Sequence, residues 1–360
     1  MSEASNDMMT SSGAVRSPDT DPRIDRRLRA ALTGIGLGEL AAASTVSRHD
    51  SPETVEAAVA GSHAAFGGLY EILSYARPGD VTVPFSTAEV PQRGRSPIPL
   101  RVYRPADSDG PLPAVIYLHG GGMTIIDTNA PAHHRWCQDL AATGLVVVSV
   151  DFRNAWTAEG RNPFPAGLDD CTAAVTWVDE HRTELGITVI VVQGESGGAN
   201  LTLATSLKLK QQGQIGRIDG VYASVPFISG GYGWPAERKR TELPSLLDND
   251  GYFMEGVGMD LLVAVYDPDG HDAENPLCWP HFASVEDLRG MPPHVVTVNE
   301  LDPLHDEGIS YYRRLCAAGV DTIGRTNLGL THAAEMIFRH DLPDVNRAAA
   351  AAIRDFAHSL

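Results

Sequence analysis

From Ala114 onward the chain alternates short, almost wholly apolar runs with longer amphipathic segments, and that alternation admits few folds. Apolar runs of five or six residues suit strands buried on both faces, which belong to parallel sheets whose crossovers are helices. The runs Ala114–Leu118, Leu145–Val150, Thr188–Gln193, Gly220–Val225 and His294–Val298 predict such strands. Between and after them, helical spacing predicts helices over His133–Ala142, Ala166–Glu184, Gly198–Gln211, Gly308–Ala318 and Ala333–Arg339, with a last one from about Val345. Val81–Phe85 and Ile98–Tyr103 alternate like strands about a turn at Pro91–Pro97, which suits an antiparallel start to the sheet. The expected class is α/β, with a mostly parallel central sheet flanked by helices.

The flanks read differently. Met1–Asp21 is polar and rich in turn formers, so it is expected to be a disordered tail. It contains no apolar core of a secretory signal, and the longest apolar stretches, such as Leu145–Val148 and Val189–Val192, fall far short of a membrane span. A cytoplasmic protein is expected. In Pro22–Arg77, Ile24, Leu28, Ala31 and Leu32 recur at helical spacing and Ser51-Pro52-Glu53-Thr54 has the form of a helix start, so 22–77 reads as a helical cap segment. Residues 78–360 then form the main domain, interrupted at about 226–281 by an expected irregular insertion, where Gly, Trp, Tyr and Pro mix without period.

Lys plus Arg number 28 against 46 for Asp plus Glu, a formal charge of -18 that argues against a sequence-independent grip on nucleic acid or an anionic membrane. A small-molecule substrate fits better. Cys137, Cys171, Cys278 and Cys316 lie far apart with no paired spacing, so buried free thiols are expected rather than a disulfide framework.

Gly194-Glu195-Ser196-Gly197-Gly198 stands between an expected strand and an expected helix. Small residues there allow a sharp strand-to-helix turn that holds a serine hydroxyl exposed above a helix N-terminus, which makes Ser196 a candidate nucleophile. His119-Gly120-Gly121-Gly122 ends another strand, and its backbone N–H groups can approach a substrate oxygen without side-chain obstruction. Gly121, Gly122 and Gly197 are the candidate oxyanion donors. A serine nucleophile needs a base and an acid to orient it, and in this topology they follow in the order acid, then histidine. Asp302 lies in the loop after His294–Val298, and His332 in a loop ahead of a helix. Their rivals are Asp306, which reads as a helix cap, and His340, which lies deeper in or beyond that helix and reads as a surface residue. His49, His63, His181 and His271 read as solvated, and His133 with Cys137 shares a helical face without a third ligand, so no metal and no cofactor are expected. Glu195 reads as an anchor of the turn, with electrostatic tuning of the site as the alternative.

Four blocks together resemble the hormone-sensitive-lipase-like esterases, the bacterial family IV branch of the α/β-hydrolases. They are His119–Gly122; Asp151-Phe152-Arg153 with Pro163–Ala166 and Asp169-Asp170; Gly194–Asn200; and Asp302–Gly308. Asp151–Gly160 and Ile228–Tyr232 look like one bacterial member in particular, and the similarity runs from about Arg23 to the C-terminus. The resemblance implies an α/β-hydrolase fold with an N-terminal helical cap, a triad of Ser196, Asp302 and His332, and oxyanion donors at Gly121, Gly122 and Gly197. Two departures stand out: Gly197 replaces the usual alanine, and His305 stands where arginine is usual, which puts in doubt any salt bridge that arginine would make. Met123, Phe227, Tyr232 and Trp234 are expected to line the pocket between cap and sheet.

The implied chemistry is hydrolysis of a carboxylic ester or lactone, a macrolactone included, through an acyl-enzyme. The same triad also serves amides, formamides or acetyl groups on carbohydrates, and the same fold without chemistry serves as a small-molecule receptor. The presence of all three triad members speaks against the receptor, while sequence leaves the scissile bond and the oligomeric state open.

Overall fold

The computed structural model describes residues 16–360 apart from 75, 79, 107 and 109. Eight strands form one sheet in the order β1-β2-β4-β3-β7-β8-β9-β10. They are β1 (Phe85–Val90), β2 (Ile98–Tyr103), β3 (Leu112–Leu118), β4 (Val146–Val150), β7 (Ile187–Glu195), β8 (Gly220–Ser224), β9 (His294–Asn299) and β10 (Thr322–Asn327). β1 and β2 are antiparallel to each other, β2 is antiparallel to β4, and every other pairing is parallel. A two-residue pair, β5 (Trp156–Thr157) with β6 (Gly160–Arg161), stands apart. The expected class and the five central strands agree with this within a few residues. The first strand does not: Val81–Phe85 is not strand except at Phe85, because the pairing with β2 runs from Phe85↔Tyr103 to Val90↔Ile98. Residues of β3, β4 and β8 are almost all buried, as strands covered on both faces should be.

Helices α3 (Pro131–Ala141), α4 (Ala166–Glu180), α5 (Arg182–Leu185), α6 (Gly197–Gln211), α10 (Val285–Leu288), α11 (His305–Ala317), α12 (Ala334–Ile337) and α13 (Pro343–Ser359) flank the sheet. The helix expected over Ala166–Glu184 breaks at His181, whose ring stacks on Trp177 at 4.0 Å. His181 is thus packed rather than freely solvated. Arg153 binds Asp170 through both its Nε (2.7 Å) and Nη2 (2.8 Å), and so ties the loop after β4 to α4. The Asp151–Arg153 and Asp169-Asp170 blocks act there as scaffold.

The roof over the strands' carboxyl ends comes from two separate segments. The first is α1 (Arg26–Gly34) and α2 (Pro52–Leu73), the latter started by Ser51, whose side chain accepts from the Thr54 N–H, with proline in the first turn. The second spans the expected irregular insertion, which instead folds into α7 (Ala236–Glu242), α8 (Ser245–Asp248) and α9 (Gly256–Tyr266), with α9 packed on α2. The cap is therefore more than residues 22–77. Of the expected tail, residues 1–15 lie outside the described residues, but Ser17 and Asp21 are buried, and Asp21 accepts from Arg23 and from the Tyr252 hydroxyl (2.8 Å). Order thus begins ahead of the boundary expected at Asp21. Cys137, Cys171 and Cys278 are buried free thiols, whereas Cys316 is exposed on α11, contrary to expectation. Among the described residues no helix is long and apolar enough to cross a membrane.

Candidate active site

The turn from β7 into α6 holds Ser196 at φ 56° and ψ −121°, a backbone state that costs a non-glycine residue roughly 1–3 kcal/mol and must be held by its surroundings. The restraint is close packing. A Cβ on Gly198 would fall 1.9 Å from the Leu118 carbonyl oxygen, so β3 lies hard against the start of α6 and only glycine fits. Ser196 donates its N–H to the Ser224 oxygen (3.0 Å), and its own carbonyl accepts from Phe227 (3.1 Å).

The loop after β3 wraps over this turn. Thr124 and Ile125 both donate to the Gly121 oxygen (3.0 and 2.9 Å), curling the glycines back toward α6. A Cβ on Gly197 would lie 2.6 Å from the Gly122 nitrogen and 2.5 Å from the Met123 nitrogen, so the start of α6 lies hard against the backbone of the glycine loop. Among the described residues the Gly121 and Gly122 N–H groups have no acceptor. Glu195 fixes the loop from below: its Oε1 accepts from Gly120 N–H (2.7 Å) and from the Tyr117 hydroxyl (3.0 Å), which also meets His133 Nδ1 (2.7 Å). His119 stacks on Phe152 at 4.2 Å and its Nδ1 meets the Gly120 oxygen at 2.7 Å. Burial pushes its pKa down to about 3, so it is neutral scaffold. His133 and Cys137 are likewise core, and no group of three His, Cys, Asp or Glu side chains among the described residues could hold a metal.

Asp302 and His332 meet at the far side of the same cavity. His332 Nδ1 is 2.8 Å from Asp302 Oδ2, and Asp302 Oδ1 accepts from the Leu304 N–H (2.9 Å). Both side chains are buried. Burial on its own would lower the His332 pKa, but the charge and hydrogen bond of Asp302 outweigh it and leave the pKa above the ordinary value. Of the rivals, Asp306 pairs with His305 Nδ1 (2.9 Å) and accepts from Ser245 N–H (2.7 Å), while His340 sits 4.0 Å from Asp80, away from the cavity. His305 thus makes a side-chain hydrogen bond to Asp306 where arginine is usual.

Several supports carry no motif. Asn299 Nδ2 donates to the Thr331 oxygen (2.7 Å) and to Glu335 Oε2 (2.8 Å), which holds the segment leading into His332. Asn249 Nδ2 donates to the carbonyls of Glu300 and Asp302 (3.0 Å each), so the second cap segment also braces the acid. Glu307, fully buried, accepts from Ile228 N–H (3.1 Å), Ser229 N–H (2.9 Å) and the Tyr232 hydroxyl (2.9 Å).

Ser196, His332 and Gly120–Gly122 line one narrow cavity of about 50 Å³. Its apolar wall comes from Phe66 and Tyr70 of α2, Phe253 and Met254, Met259 and Leu262 of α9, and Met336 and Ile337 of α12. Of the four expected lining residues only Phe227 is there. Met123 is buried in the loop after β3; Tyr232 lies behind Phe227, stacked on it at 4.3 Å; Trp234 lies under the Arg238 guanidinium, 3.5 Å from its ring centre. His63 is also no solvated residue: its Nδ1 accepts from Ile126 N–H at 3.1 Å.

Residues 115–336 match the family described as alpha/beta hydrolase fold. Brefeldin A esterase, whose solved structure is described as a bacterial homologue of human hormone-sensitive lipase, is 54% identical over 95% of both chains, with a TM-score of 0.93. The chain belongs to the hormone-sensitive-lipase-like α/β-hydrolases. It is also similar to esterase Est22, 34% identical over 95% of this chain and 99% of that one, TM-score 0.81. Carboxylesterase NlhH of Mycobacterium tuberculosis is 34% identical over 63% of this chain and 68% of its own. The protein is accordingly a carboxylic ester hydrolase of the hormone-sensitive-lipase-like family, as its motif blocks imply.

Proposed function

We propose that this hormone-sensitive-lipase-like enzyme cleaves small to medium carboxylic esters or lactones by two-step acyl transfer, with Ser196 as nucleophile, His332 as base and Asp302 as the group that orients the base. In the first step Ser196 Oγ bonds to the substrate's carbonyl carbon as its proton passes to His332 Nε2, which later protonates the departing alkoxide. In the second, water attacks the acyl carbon and gives one proton to His332, which returns it to Ser196 Oγ as the bond between Oγ and the acyl carbon breaks and the acid is released. The negative oxygen formed in each step is held by the N–H groups of Gly121, Gly122 and Gly197, each worth about 3 to 4 kcal/mol of barrier.

The observation that carries this reading is the convergence of a strained Ser196, a donor loop and the 2.8 Å His332–Asp302 pair on one cavity. The apolar wall supports a hydrocarbon-rich acyl group or ring rather than a sugar, since it offers few polar partners. A macrolactone of the brefeldin A kind is the favoured natural substrate class, supported by the 54% identity to brefeldin A esterase. The test is a panel of short p-nitrophenyl esters, a macrolactone, an aryl formamide and an acetylated sugar, assayed with the parent protein and Ser196→Ala. Ester and macrolactone turnover that disappears in the variant is expected; preference for the amide or the sugar acetate, or turnover that survives in Ser196→Ala, would overturn it.

A further inference from the structure

A second chamber lies directly behind the nucleophile, on the sheet face covered by α3, α12 and α13. It holds about 180 Å³ and shares Glu195, Ala333 and Met336 with the acyl cavity. It is more polar than that cavity, with Gln193, Glu195, Ser224, Thr297, Arg325 and Asn327 in its wall. Glu195 on β7, Ser224 on β8, Thr297 on β9 and Arg325 on β10 stand in register across four parallel strands, and all four line the chamber. Glu195, Ser224 and Thr297 are buried while Arg325 is exposed, so the row leads from beneath Ser196 to the open edge of the sheet. At a strand spacing of roughly 4.8 Å it spans roughly 14 Å.

Buried faces of parallel strands ordinarily carry Val, Ile and Leu. Here Gln193 is wholly buried with neither Oε1 nor Nε2 bonded, and Glu195 Oε2 and Trp136 Nε1 are also without partners among the described residues. Each lines the same chamber. Buried polar atoms left unpaired cost roughly 1–3 kcal/mol apiece, and water is the partner that satisfies them where a cavity is polar and roomy. With about 30 Å³ per liquid water, there is space for several.

We propose that this chamber is the route by which water reaches the acyl-enzyme, entering past Arg325 and arriving beside Glu195. The inference rests on the two-step reading above. With an acyl group in the narrow apolar cavity, the site vacated by the leaving alcohol is apolar and admits another alcohol more readily than water, yet the second step consumes one water: its oxygen bonds to the acyl carbon, one of its protons goes to His332, and that proton passes on to Ser196 Oγ as the ester bond breaks. The hydrated row behind Glu195 meets that need without opening the cap.

The test uses variants outside the catalytic machinery. Ala349→Phe, on α13, fills the chamber, and Thr297→Val removes one hydroxyl of the row at nearly constant volume. Parent and variants are given p-nitrophenyl butyrate with 1-butanol, which competes for the acyl-enzyme from the substrate side, and butyl ester and acid are quantified alongside the acylation rate. The ratio of butyl ester to acid is expected to rise roughly five- to tenfold in Ala349→Phe and less in Thr297→Val, with acylation within about twofold of the parent. An unchanged ratio in both variants overturns the route and leaves the triad standing. Equal slowing of both steps also overturns it, because the plug would then act through the fold. No butyl ester from the parent would instead strike the acyl-enzyme reading itself and the route with it.

Discussion

Replacing Gly197 with alanine tests how tightly the donor loop is set over the nucleophile. The usual family residue here is alanine, yet in this protein an added Cβ would stand 2.5 Å from the Met123 nitrogen, 2.6 Å from the Gly122 nitrogen and 2.7 Å from the Gly122 Cα. Ordinary contact begins near 3.4 Å, so the loop must retreat by about 0.9 Å, and all three opposing atoms are backbone that cannot rotate away. A misplacement of that size costs roughly 100-fold in rate, and complete loss of one donor costs about 100- to 1000-fold, or about 3 to 4 kcal/mol. Gly197→Ala is therefore expected to lower kcat for p-nitrophenyl acetate by roughly 100-fold with KM little changed. Helix propensity acts the other way, since alanine favours the first turn of α6 by up to about 1 kcal/mol, so the melting temperature should stay near that of the parent. Steady-state kinetics with a thermal melt on the same preparation decide it. A variant with kcat within twofold of the parent would refute the claim that the loop sits too close for a methyl group.

Asp302→Asn should keep the fold but lower kcat by about 10,000-fold, since the amide no longer enforces the right imidazole tautomer; near-normal kcat would remove Asp302 from the triad. In the parent, kcat/KM should rise with pH through a transition above 6.5, because the base must be neutral and the charge of Asp302 keeps its proton on to higher pH. A transition below that value would contradict the electrostatic reading. Burial outweighs its three donors and raises the Glu307 pKa from 4.5 to about 8. The folded state then binds more protons than the unfolded one across that window, so this group's contribution to stability is full below 4.5 and falls as pH rises to about 8, by up to roughly 5 kcal/mol. Urea unfolding at pH 5 and pH 8 should show the parent losing more stability than Glu307→Gln, and equal losses would count against it.

What the sequence disclosed was local or strongly patterned. The nucleophile turn and the glycine loop are each contiguous in sequence, and each follows a largely apolar strand, β7 and β3, so both motif and context were legible. The proposed base and acid could be picked out because chain order restricts them to loops after Ser196. β10 escaped notice because it is an edge strand: its residues are mostly exposed and include Gly324, Arg325 and Asn327, so no alternation marks it. The 226–281 segment looked irregular because α7 and α8 are short and α9 is apolar almost all round. The acyl cavity was the least legible part. Its wall joins α2, α9 and α12, residues up to some 270 apart, and only tertiary packing tells Phe66 and Tyr70 from other apolar residues of a helix. Buried carboxylates such as Glu307 and Glu335 gave no signal either, because their partners are mostly backbone groups and an asparagine distant in sequence.

The most direct measurement is covalent labelling with a fluorophosphonate, followed by mass spectrometry of the peptide that spans the β7–α6 turn. One adduct per chain on Ser196, activity lost in step with labelling, and labelling at least 100-fold slower in His332→Ala are the expected results. An adduct on another residue, or His332→Ala labelled as fast as the parent, would contradict the claim that His332 activates the Ser196 hydroxyl.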